Sequence, residues 1–234
     1  MHKIIVTMYF GEPSTILLAS MSQESRYAHN CRTIDHLLNE AQRHHIIVLS
    51  CGDWSSFQEF CRRYEGKVEA IYIDQSHVTR EKGTGVMEVQ LLREFLANRD
   101  GGFLKISGKY VIDNFGAVRK FLVNRDVVEF GWRFSGRKMV DTRCILLNRE
   151  MIFSEWFDLV DDRTGYFFEH AAFDYLLQRK PSAIGFLICR PLIRGMSGTD
   201  GREVSYSSWK AFAVRIASKW WQLQISIKGC RKGG

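Results

Sequence analysis

An α/β fold with a mostly parallel sheet covered by helices is predicted by three features of the first 112 residues. Short runs rich in β-branched residues are separated by longer runs with apolar residues at helical spacing, and the two kinds alternate in order. Strand, helix, strand repeated in this way implies βαβ units, in which parallel strands need a crossover helix.

The first strand is expected over residues 3–10, "KIIVTMYF", and "GEPS" at 11–14 is expected to be a turn. The apolar run at the start is too short for a signal-peptide core and is followed by no small-residue cleavage site. "SRYAHNCRTIDHLLNEAQR" then places Tyr27, Cys31, Ile34, Leu38 and Ala41 on one helical face. A second strand is expected at 45–51, and Asp53 after it is expected to cap the helix that begins at Trp54. A third strand at 68–74 is followed by a helix in "VMEVQLLREFLANR". Further strands are expected at 103–112, 127–134 and 142–148, and a helix within 164–180. In such sheets ligands bind beyond the carboxyl ends of the strands, so the loops there matter most.

Length and composition fit a soluble globular protein: 234 residues, 45% hydrophobic and 25% charged, without repeats or low-complexity tracts. Six scattered cysteines form no CxxC pair, which argues against a zinc site or a disulfide framework and for a reducing cytoplasm. No apolar run is long enough to span a bilayer. The formal net charge is +7, and residues 202–234 hold seven basic residues against one acid, a net of +6, leaving +1 for 1–201. This division suggests a domain over 1–201 and a basic tail over 202–234. Because the basicity is not on the main body, nucleic acid is not expected as a partner.

In the tail, Tyr206, Trp209, Ala213, Ile216, Trp220, Leu223 and Ile227 share a helical face bordered by Lys and Arg. That amphipathic pattern suits a helix lying on an anionic membrane through residues 203–234. It equally suits a helix packed on its own domain.

Four other stretches hold candidate chemistry. "EKGTGVMEVQLL" sets Lys82, Gly83 and Gly85 before a helix that carries Glu88, either an anion site at a helix amino end or an ordinary turn. "FLKISGKYVIDN" interrupts a strand with Lys105, Ser107, Gly108 and Lys109, either a sheet irregularity or a close approach of ligand to backbone. "TGYFFEHAAFDYLLQRK" puts Glu169 at the border of a buried stripe, where a raised pKa would suit a general base, and sets His170 four residues before Asp174. "RPLIRGMSGTDGREVSY" offers Gly198, Thr199 and Asp200 in a glycine-rich loop, either a phosphate nest or a terminal turn.

Taken together, "KGTGVMEVQLLREFL", "FLKISGKYVIDN", "GYFFEHAAFDYL" and "PLIRGMSGTDG" resemble, in this order, bacterial and viral glycosyltransferases of surface-polysaccharide (lipopolysaccharide or capsule) synthesis. The resemblance covers roughly residues 3–205. It implies a GT-A-like Rossmann-type domain, a nucleotide-sugar donor and a glycan or glycolipid acceptor. It places Lys82, Gly83 and Glu88 near the donor and Lys105, Ser107, Gly108, Lys109 and Tyr110 at the centre. Glu169 would serve as the base, with Asp174 or Asp200 as substitutes, and Gly198 and Thr199 would lie near phosphate. Tyr110 either stacks on a base or sugar or packs against the next helix. Many members have Arg at the position of Lys109, which would grip phosphate bidentately.

The usual GT-A enzyme holds Mn²⁺ or Mg²⁺ through a DxD motif, yet this sequence has no DxD, DxE, ExD or ExE. Lys105 and Lys109 are therefore expected to take over the cation's role at the diphosphate, with no metal ligand assigned. The reading is a cytoplasmic glycosyltransferase, peripheral on the inner face of the cell membrane. Its rivals are a non-catalytic α/β binding module and a nucleotidyltransferase, which would want paired carboxylates for metal.

Overall fold

Residues 3–10, 22–40, 45–75, 83–124, 127–134, 137–185, 189–196 and 203–205 are described by a computed structural model. Lys82, Gly198, Thr199, Asp200 and the tail beyond residue 205 lie outside the described residues.

The chain builds β1 (Lys3–Phe10), α1 (Gln23–Glu40), β2 (Ile46–Gly52), α2 (Trp54–Arg63), β3 (Glu69–Tyr72), α3 (Thr84–Leu96) and β4 (Gly102–Ser107). β5 (Tyr110–Ile112), α4 (Phe115–Val123), β6 (Phe130–Arg133) and β7 (Val140–Asn148) follow. Next come α5 (Arg149–Ile152), α6 (Glu155–Asp158), α7 (Phe168–Arg179), β8 (Ile184–Gly185), β9 (Ile193–Met196) and β10 (Glu203–Ser205).

Seven strands form the main sheet in the order β3-β2-β1-β4-β7-β6-β8. β1 runs parallel to β2 and β4, and β2 parallel to β3, while β7 runs antiparallel to β4 and β6. The sheet is thus the expected mostly parallel one, flanked by helices. β1 and β2 are buried almost end to end because their two faces are both covered, and such strands read as continuous apolar runs. α1 packs on β1 and β5, α3 on β2 and α7, and α7 on β7 and β6. Asp53 caps α2 as expected, its Oδ2 accepting from Ser56 N at 2.7 Å. That bond holds the carboxyl below the ordinary aspartate range.

Several local expectations need correction. The predicted strand 103–112 is two strands, because the chain leaves the main sheet at Gly108. β5 joins a second, three-stranded sheet of order β10-β9-β5, pairing with β9 across residues 110–112 and 193–195. Gly108 N still donates to Thr7 O at 2.8 Å, holding the turn against β1. α4 has no counterpart in the sequence reading, although Phe115, Val118 and Leu122 give it a buried stripe. In α1 the most buried leucine is Leu37; Leu38 packs at its margin. His170 does not pair with Asp174 on the surface of α7. Its Nδ1 accepts from Phe167 N at 3.1 Å, closing the helix start, while Asp174 Oδ2 accepts from Tyr166 Oη at 2.9 Å.

No helix among the described residues is long and apolar enough to cross a membrane.

Candidate active site

The parallel strands end at one edge, and β7 begins there because it runs the other way. α1, α3 and α7 each bring their first turns to this edge. Residues far apart in sequence, Arg26, Glu88, Lys105, Lys109, Thr142 and Glu169, are gathered there by that arrangement.

Lys105 lies in the middle of β4 and is 0% exposed. A buried ammonium is tolerated when its three N–H groups find acceptors. Here Nζ donates to Glu88 Oε1 at 2.6 Å, to the Thr142 carbonyl at 2.8 Å and to Ser107 Oγ at 3.0 Å. The Phe168 ring lies 5.2 Å from the same nitrogen. All three donors are used internally, so Lys105 does not reach out to a diphosphate as the sequence suggested. Its role is to hold Glu88, α3 and the start of β7 in place.

Two carboxylates complete the cluster. Glu88 Oε1 also accepts from Thr7 Oγ1 at 2.6 Å. Glu169, in the first turn of α7, accepts from Thr142 Oγ1 at 2.9 Å. Burial raises the Glu169 carboxyl above its ordinary value and the charge of Glu88 adds to the rise, while its own backbone N–H, the Thr142 hydroxyl and Lys105 oppose it. Glu169 is partly accessible at its edge. A carboxylate of raised basicity with one oxygen held and the group still reachable fits a proton acceptor. Asp174, the first substitute base, is engaged by the Tyr166 hydroxyl instead.

Lys109 sits in the turn after β4. Its Nζ is 5.5 Å from the Tyr110 ring and makes no ion pair among the described residues. Burial lowers its pKa to about 8, assisted by the neighbouring charges of Arg26 and Lys105 and opposed by Glu88 and Glu169. Arg26, on the first turn of α1, lies over the Tyr9 ring at 5.4 Å, and its Nε and Nη2 are buried without a hydrogen-bond partner. Sequence reasoning missed Arg26. It falls among the polar positions of α1, and its significance comes only from the strand end beneath it.

Tyr110 is buried, with Arg143 5.4 Å from its ring and its carbonyl accepting from Thr33 Oγ1 of α1. Burial pushes its hydroxyl up to about 12. The helix it meets is α1, earlier in the chain, and the bond is to its carbonyl, not its ring. Arg143 is itself held by a bidentate pair with Asp141, at 2.8 and 2.7 Å.

Two glycines serve the protein's own packing. A Cβ on Gly108 would stand 2.5 Å from Met8 Cγ and 3.0 Å from Thr7 O, so the close approach is to β1. At the start of α3, Gly83 has φ 98° and Asp162 occupies the space where its Cβ would be. Asp162 Oδ2 accepts from Gly85 N at 3.1 Å. The helix amino end read as an anion site is thus filled by a carboxylate of the same chain, as the helix dipole favours.

A divalent cation does not fit the residues described here. Glu88 Oε1 already takes two donors, and the Lys105 and Lys109 ammonium groups flank the carboxylates. Among the described residues no three His, Cys, Asp or Glu side chains are grouped to hold a metal. A cavity of about 370 Å³, lined in part by Gly101, Asn148 and Phe153, lies at the opposite end of β4, away from this cluster.

No protein-family model matches the chain. No curated protein matches it either. Solved structures do resemble it. A Bacillus anthracis protein assigned as a glucose-1-phosphate thymidylyltransferase, in complex with sucrose, aligns with TM-score 0.52 at 12% identity, over 92% of this chain and 95% of that one. Mouse xyloside xylosyltransferase 1, in its apo form, gives 0.48 at 12% identity, over 80% and 85%. A cytidylyltransferase from Leptospira borgpetersenii serovar Hardjo-bovis gives 0.44 at 12% identity, over 77% and 72%. The first likeness shows the fold alone, a Rossmann-like α/β domain. At such identity it establishes nothing about the reaction.

Proposed function

We propose that the protein is a glycosyltransferase that moves a sugar from a nucleotide-sugar donor to a glycan acceptor, lipid-linked, in surface-polysaccharide synthesis. The observation that carries the reading is Glu169: a carboxylate of raised pKa, held by Thr142 beside the Lys105 and Glu88 pair, at the strand edge where this fold class binds nucleotides. The ordered resemblance of four sequence motifs to surface-polysaccharide glycosyltransferases supports the same reaction and supplies the acceptor class.

In the proposed reaction an acceptor hydroxyl oxygen attacks the anomeric carbon of the donor sugar. Glu169 takes the hydroxyl proton, and the bond from the anomeric carbon to the diphosphate oxygen breaks with its electron pair on the leaving nucleoside diphosphate. Lys105 positions Glu88 and Thr142, and through Thr142 it orients Glu169. Residues 203–205 pair with β9, so attachment of the basic chain beyond residue 205 to an anionic membrane would bring the enzyme to its acceptor on the inner face of the membrane.

Fold likeness to a thymidylyltransferase keeps one rival in view, since that chemistry uses the same kind of sheet. The two part on product. A panel of nucleotide sugars is incubated with the protein and glycolipid vesicles, and a panel of nucleoside triphosphates with sugar 1-phosphates. Nucleoside diphosphate release in the first set is the expected result. Pyrophosphate release confined to the second would replace the reading with nucleotidyl transfer, and a protein inert in both would be a binding module.

A further inference from the structure

The cations at the strand edge divide into two groups. Lys105 is closed by Glu88, and Arg143 by Asp141, at 2.6 and 2.7 Å. Arg26 and Lys109 are each half-buried and have no ion-pair partner among the described residues. Two nitrogens of the Arg26 guanidinium, Nε and Nη2, are buried and unsatisfied. Leaving such donors unpaired is costly, and a native protein retains them where a ligand completes them.

The two side chains converge from neighbouring elements. Arg26 rests on Tyr9 at the end of β1. One turn further along α1, Asn30 Oδ1 would lie 3.1 Å from a Cβ on Gly108, and its Nδ2 donates to Tyr9 O at 3.5 Å. Gly108 immediately precedes Lys109, and Tyr9 and Gly108 cap adjacent parallel strands. A guanidinium fork and an ammonium are therefore set side by side over the ends of β1 and β4. Burial, and after it the charge of Arg26, lowers the Lys109 pKa, while burial lowers that of Arg26.

We infer that Arg26 and Lys109 form the diphosphate site of the nucleotide donor and neutralise it without a divalent cation. The inference rests on the glycosyltransferase reading and specifies how its donor is held. Arg26 supplies two donors to one phosphate in bidentate fashion, and Lys109 supplies a compact charge to the other. A cation in the same place would face both positive groups at short range, with Glu88 already committed to Lys105. As the sugar leaves, the charge that grows on the diphosphate meets groups already in position.

The test is titration of UDP, GDP, ADP, CDP and dTDP into the full chain in EDTA, repeated with MgCl₂ or MnCl₂. At least one diphosphate is expected to bind in EDTA, with an affinity that the metal changes little. Arg26→Ala and Lys109→Ala are each expected to weaken it by about tenfold or more, the scale of a charged hydrogen bond. Lys109→Arg, which keeps the charge, is expected to bind. Thermal melting of each unliganded variant establishes that it is folded, and Lys109→Met serves if Lys109→Ala is not. Binding that requires Mg²⁺ or Mn²⁺, or variants that bind like the parent, would overturn the inference while sparing the glycosyltransferase reading. Absence of binding under both conditions would overturn both.

Discussion

Lys105 Nζ lies 2.6 Å from Glu88 Oε1, joining the middle of a buried strand to the first turns of α3. The lysine is wholly enclosed, so the pair is a part of the fold as much as of the site. Removing one member of a buried pair leaves the other uncompensated. Lys105→Ala is expected to destabilise the protein by about 3–5 kcal/mol. Combining Lys105→Met with Glu88→Gln should recover part of that loss, because both charges go together. Chemical denaturation of the single and double variants checks this, and a stable Lys105→Ala protein would contradict it.

Glu169 carries the proposed proton transfer, and its pKa is raised chiefly by burial. The carboxylate is needed for the reaction, so the acid limb of the pH profile of kcat should lie above the ordinary glutamate range. Thr142 opposes the shift by donating to the carboxylate. Thr142→Val is therefore expected to move the acid limb further up, and a limb that stays in place or moves down would count against the assignment.

Lys109 adds a basic limb of a different kind. Its pKa in the free protein is lowered to about 8, with Arg26, Lys105, Glu88 and Glu169 as the charged neighbours that set it. Nucleoside diphosphate affinity should fall as the pH rises through about 8, where the free ammonium loses its proton. Stability has the opposite sign. Between about 8 and the ordinary lysine value of 10.5, the unfolded chain binds the proton more readily, so this residue makes stability rise with pH there. In Lys109→Met both dependences should flatten, measurable by calorimetric titration and by denaturation across that range.

Gly83 is held at φ 98° with Asp162 packed against it. Alanine there meets both a disfavoured backbone and an occupied space. Gly83→Ala is expected to cost more than about 1 kcal/mol in stability. Gly66→Ala, at φ 69° but with open space around it, separates the backbone contribution from the collision with Asp162.

Much of the sheet was legible because β1, β2 and β3 are locally complete signals, with β-branched runs between amphipathic helices. The break at Gly108 was visible too, though not its consequence. β5 departs to pair with β9, some eighty residues on, and strands of three or four residues carry too little pattern to announce such a partner. The candidate site divides in the same way. Glu169 was legible because a carboxylate at the edge of an apolar helical stripe is a local feature. The partners of Lys105, by contrast, come from α3 and from β7, and nothing near residue 105 reveals that its charge is already satisfied. "KGTG" reads like an anion loop because the chain does place an anion there, namely Asp162. Arg26 had no signal at all; only the packing of α1 on the end of β1 makes it a half-buried cation with two unsatisfied nitrogens.

The most direct test compares the parent protein with Glu169→Gln at saturating nucleotide sugar, following nucleoside diphosphate release in the presence of glycolipid acceptor while donor affinity is measured separately. Turnover is expected to fall by about 10²–10⁴, the usual contribution of a general base, with donor affinity nearly unchanged. Turnover equal to the parent's, or no nucleotide sugar bound or cleaved by the parent, would contradict a glycosyltransferase with Glu169 as its base.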